Sequence, residues 1–85
     1  MDQPPRTCCI TLTREGGRFA YTTSAASVFE AARNALRFWR DPFWQGPRPR
    51  QNDMLEVSAT GDPRKWRVRV SRIDQTSSLP AGFPD

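Results

Sequence analysis

Chemistry in this chain would have to come from cysteine, carboxylate or arginine, because the sequence contains no histidine. Without an imidazole there is no Ser-His or Cys-His pair and no imidazole-held metal. The carboxylates are dispersed, Glu15 and Asp62 in turns, Glu30 in a helix cap and Asp41 at a helix stop, so no pair has a spacing that converges on a substrate. Cys8 and Cys9 are adjacent: on a strand they point to opposite faces, cannot easily bridge each other, and form no recognisable metal site. Cys9 would face outward with arginines across the sheet, which makes it the one candidate nucleophile. No base accompanies it, and a tolerated surface thiol is the simpler reading. Gly16-Gly17 lacks the lysine and the strand-to-helix setting of a phosphate loop and reads as a turn. The expectation is a protein that is not an enzyme and holds neither cofactor nor metal.

Arginine remains. Between Arg6 and Ile73 thirteen basic residues face six acidic ones, and twelve of the thirteen are arginine. Such an excess attracts polyanions or acidic protein faces, although a G+C-rich coding sequence also favours arginine. The densest run is Arg33, Arg37 and Arg40 on a helix, then Arg48 and Arg50 in the loop that follows, with Trp44 between them. Tryptophan and arginine are enriched in binding hot spots, and a tryptophan beside arginines suits stacking on nucleic acid. Pro47 and Pro49 stiffen the loop and lower its ordering cost on binding. These six residues are the expected binding site and nucleic acid the expected partner. The alternative is a protein-protein or self-association domain in which Phe43, Trp44 and the Pro-Arg loop dock on an acidic protein surface or a second copy. Phe43 and Trp44 could instead cap the open end of the core over Trp66.

The elements that position these residues follow from hydrophobic period. Thr7 to Thr13 alternates, with Cys8, Ile10 and Leu12 inward, and Arg18 to Thr23 returns with Phe19 and Tyr21 inward, which predicts a β-hairpin turned at Arg14 to Gly17. From Val28 to Trp39 the residues Val28, Phe29, Ala31, Ala32, Ala35, Leu36, Phe38 and Trp39 share one helical arc, and Glu30, Arg33, Asn34, Arg37 and Arg40 the other. Ser24 or Ser27 caps this helix, Ser27 with Glu30 fitting a capping box, and Asp41-Pro42 ends it. Phe43 to Asn52 has no period and reads as a surface loop. A second hairpin follows: Asp53 to Thr60 with Leu55, Val57 and Ala59 inward, then Lys65 to Ser71 with Trp66, Val68 and Val70 inward, Arg72-Ile73 extending it in an open register.

The segment Tyr21 to Leu36, Y-T-T-S-A-A-S-V-F-E-A-A-R-N-A-L, resembles the strand-to-helix passage of small bacterial α+β domains, HicB-like antitoxins among them. The likeness spans those residues alone and carries no motif from which an activity follows.

Each element has one apolar face, so the economical fold is an α+β two-layer sandwich in the order β-β-α-β-β, a four-stranded mainly antiparallel sheet with one helix on one face. Residues 1–6 are expected to form a flexible arm, 7–73 one domain and 74–85 a disordered tail. At 85 residues the core only just outweighs chain entropy, so every inward apolar side chain is needed. The outer sheet face carries Thr7, Cys9, Thr11 and Thr13 beside Arg18, Glu56, Arg67 and Arg69. It has hydroxyls and arginines for phosphate but no aromatic platform for bases, and reads first as a solvated face whose charges serve solubility and edge protection. No stretch approaches the roughly 18 apolar residues of a membrane span and no leader pattern opens the chain, which points to a soluble cytoplasmic protein without membrane contact and leaves its oligomeric state open.

Overall fold

In the computed structural model, which describes residues 5–14 and 16–75, the expected architecture is present. Four strands, β1 (Arg6–Arg14), β2 (Gly17–Ala25), β3 (Met54–Ala59) and β4 (Lys65–Arg69), form one sheet in the order β2-β1-β3-β4, antiparallel throughout. Helix α1 (Val28–Trp39) crosses one face, and a short second helix, α2 (Val70–Gln75), follows β4. The strand alternation is as the sequence predicts. Cys8, Ile10 and Leu12 of β1 are fully buried and face Leu55, Val57 and Ala59 of β3, while Thr7, Cys9, Thr11 and Thr13 line the uncovered face. The second hairpin turns through Gly61, whose φ of 83° lies in the region that glycine tolerates without strain.

Helix α1 starts where its capping box places it. Ser27 has extended backbone, its hydroxyl accepts from the Glu30 N–H at 3.1 Å, and the Glu30 carboxylate reaches back to the Ala26 N–H. Alanines 31, 32 and 35 bring the helix down close to the sheet, and Trp39 closes the core at its far end with no exposed surface. The Trp39 indole N–H has no acceptor among the described residues. Leaving it unpaired costs roughly 1–3 kcal/mol, and burying roughly 200 Å² of ring contributes about 5 kcal/mol, so packing wins. Phe38 departs from the expected buried arc: it is 43% exposed and stacks on Tyr21 with 4.7 Å between ring centroids, at the rim where the helix no longer covers β2.

The C-terminal part of the domain corrects the sequence expectation. The alternation of Lys65 to Ser71 extends a strand through Val70, but β4 ends at Arg69 and Val70 begins a helix. On a strand, Val70 and Ile73 would point to opposite faces. One helical turn sets both on the same side, where both are buried against the core. The Val70 N–H donates to the Asp53 carbonyl and the Ser71 N–H to the Gln51 carbonyl, so the loop before β3 holds the start of the helix. Asp74 and Gln75, assigned to the tail by sequence, therefore belong to a second helix, and Arg6, assigned to the arm, is the first residue of β1. The rest of the expected tail and residues 1–4 of the arm lie outside the described residues.

Candidate nucleic-acid interface

The sheet register brings separate arginines to one end of the domain. Leu12 pairs with Leu55, Thr13 with Arg18 and Met54 with Arg69, so β1 and β4 finish where β2 and β3 begin. Helix α1 runs back along β2 to the same end: Asn34 reaches Thr23, Phe38 stacks on Tyr21, and Trp44 meets Phe19. Arg14, Arg18, Arg37, Arg40, Arg48, Arg50 and Arg69 all belong to this end, which also holds Asp41, Asp53 and Asp74.

Several of these charges are already engaged. Arg40 grips Asp74 with two parallel hydrogen bonds of 2.9 and 2.8 Å, and the Gln51 side chain donates to the same carboxylate. The Arg40 hydrogen bond, seconded by Gln51, holds the Asp74 carboxyl down at about 2, and the same bond pushes the Arg40 guanidinium up from its ordinary value. Arg14 bonds Asp53 at 2.7 Å and the Arg48 carbonyl at 3.2 Å, while the Arg48 guanidinium turns to the Asp41 carbonyl at 3.3 Å. The Asp53 carboxylate also accepts from the Arg50 N–H at 2.7 Å, leaving the Arg50 side chain exposed.

Trp44 is placed differently from a stacking platform. Its indole N–H donates to the Pro47 carbonyl at 2.9 Å, and its ring is half-buried, edge-on to Phe19 at 6.1 Å and tilted over Phe38 at 5.4 Å. It covers the β2 side of the core, whereas Trp66 stands on β4 at the opposite edge, with the Arg64 guanidinium 5.2 Å from its ring. Gly46 permits this fold, because a Cβ there would collide with the Trp44 indole. Among the described residues Phe43 is the most exposed aromatic, at 90%.

Of the six residues proposed from sequence, Arg33, Arg37 and Arg40 come together along a groove of about 450 Å³ floored by Leu36 and Ile73. Arg48 and Arg50 sit in the adjoining loop, and Trp44 lies beneath it. Arg18, Arg37, Arg50 and Arg69 are exposed and pair with no acidic side chain among the described residues. Arg18 and Arg69 were visible only as members of the outer sheet face. Their nearness to the loop depends on strand order, which no local pattern encodes. On that face Thr11, Thr13, Arg18, Met54, Glu56 and Arg67 line a hollow of about 250 Å³, in which Glu56 lies 3.9 Å from Arg67. Among the described residues, no helix is long and apolar enough to cross a membrane. No protein-family model matches the chain, and neither a curated protein nor a solved structure matches it significantly.

Proposed function

We propose that this domain is a non-catalytic binding module that engages nucleic acid, single strands in particular, through its arginine-rich end. The observation that supports the reading is the set Arg18, Arg37, Arg50 and Arg69, drawn from β2, α1, the loop and β4, exposed at one end and without acidic partners among the described residues. Guanidinium groups contact phosphate bidentately, and cations not already paired within the protein lose least on doing so. Arg40 and Arg48 act instead as struts that hold the loop, and Trp44 as its floor. Phe43 takes the role expected of Trp44: an exposed ring, in the loop that also carries Arg48 and Arg50, on which a base can stack. A duplex offers no splayed base to such a ring, which is why single strands are favoured.

Titrating fluorescent single-stranded and duplex oligonucleotides of random sequence over a range of salt tests the proposal. Neutralising three or four phosphates predicts a slope of about −2 to −3 in log affinity against log salt for single strands. Replacing Arg37 and Arg50 together by alanine should lower the slope's magnitude by about 1 to 1.5. Phe43→Ala should weaken single-strand binding by roughly 1–3 kcal/mol and duplex binding little. Affinity weaker than millimolar at low salt, or insensitive to salt, would overturn the reading.

A further inference from the structure

The two edges of this sheet are built differently. At β4 the edge is five residues long, and Lys65, Arg67 and Arg69 alternate along it. Self-pairing there would set arginine against arginine or lysine, which is how natural sheets keep an edge from pairing. At β2 the edge is nine residues long, contains no proline, and carries Arg18 as its only charge.

The register shows which groups of β2 are left open. The Thr7 carbonyl accepts from the Thr60 N–H, on the β3 side of β1. By the alternation of antiparallel ladders, Thr7, Cys9, Thr11 and Thr13 then bond toward β3, and Cys8, Ile10 and Leu12 exchange bonds with Thr23, Tyr21 and Phe19. Arg18, Ala20, Thr22 and Ser24 must therefore aim their N–H and C=O groups away from the sheet, and all four residues are exposed.

The geometry points to a second copy of this chain as the occupant of that edge, paired antiparallel through a two-fold axis at Tyr21. Tyr21 is the middle residue of β2, so this axis matches the strand to itself over its whole length. Arg18 falls opposite Ser24 and Ala20 opposite Thr22, every outward amide finds a carbonyl, and the only charge on the strand never meets its copy. On the helix side Tyr21 meets the Tyr21 of the second copy in a close, non-hydrogen-bonded pair. Phe38, 43% exposed and stacked on Tyr21, extends this contact on each side into one aromatic cluster. The result is a continuous eight-stranded sheet, closed by symmetry because the β4 edges at its two ends repel one another. An acidic peptide could add to the same edge, but with one cation along nine residues the strand offers it little charge to recognise.

Sedimentation velocity on the full chain from micromolar to millimolar concentration, combined with amide hydrogen exchange by NMR, tests the dimer. The expected result is a monomer-dimer equilibrium in which the amides of Arg18, Ala20, Thr22 and Ser24 become protected as concentration rises, while those of the β1 ladder are protected throughout. Thr22→Pro removes an outward amide that no β1 bond uses, and should raise the dimer dissociation constant at least tenfold with the β1 ladder intact. Should that variant unfold, exchange in the unaltered protein decides by itself. A strict monomer over the whole range, or a dimer that protects amides around Phe43 and leaves those of β2 unchanged, overturns the inference. Replacing Arg37 and Arg50 leaves β2 intact, so loss of nucleic-acid binding and loss of dimerisation are separately readable.

Discussion

Asp74 takes hydrogen bonds from two segments distant in sequence, Arg40 at the end of α1 and Gln51 in the loop before β3, and so ties the second helix to both. Its carboxyl is held at about 2, below the ordinary 3.8, chiefly by the Arg40 hydrogen bond. Because the folded value is the lower one, the stabilisation is fully present above about pH 4 and is lost as pH falls through the folded value near 2. Asp62 moves in the same direction, also to about 2, through its hydrogen bonds from Arg64. Chemical denaturation of the wild type should therefore show stability falling between pH 4 and 2. Asp74→Asn should lose about 0.2–1 kcal/mol at neutral pH, since water screens a pair that is about a third exposed, and should fall less steeply in acid. An unchanged acid limb in the variant would refute the assignment. This role was not legible in the sequence. Asp74 opens a run of polar residues that resembles any tail, and its partner Arg40 is 34 positions away.

At the scale of elements, α1 and both hairpin turns could be read from residue types alone, because helical period, capping box and turn glycines are local signals. The passage from β4 to α2 could not, since R-V-R-V-S alternates as a strand does until the buried spacing of Val70 and Ile73 decides for a helix. The loop from Phe43 to Asn52 also hid its organisation. It has no period, and its order comes from Trp44 folding back on Phe19 and Phe38 with its N–H on Pro47. Gly46 is the residue on which that depends. Gly46→Ala should push the indole out of its seat, costing about 1–3 kcal/mol as overpacked sites do, and should raise the acrylamide-quenchable share of tryptophan fluorescence. If quenching and stability both match wild type, Trp44 is not seated as described.

Over the whole molecule, one apolar face per element was enough to predict two layers around one core, and strand order was what the sequence withheld. That order also decides where the arginines meet, which is why the helix and loop candidates were legible and their neighbours on β2 and β4 were not joined to them. The same order has a consequence for how the chain assembles. The first hairpin with α1 and the second hairpin with α2 are each local in sequence, and the sheet is joined across its middle by one seam, Cys8 to Leu12 of β1 against Leu55 to Ala59 of β3. Closing that seam carries the largest loop-closure cost in the sheet, and in folding the loop keeps the two halves at high effective concentration. A nick between Pro49 and Arg50 leaves the Trp44-Pro47 turn on one piece and the Gln51 and Asp53 contacts on the other. Residues 1–49 and 50–85, mixed as separate peptides, should recover the sheet's circular dichroism at high concentration and lose it on dilution, so that a unimolecular folding reaction becomes a bimolecular one.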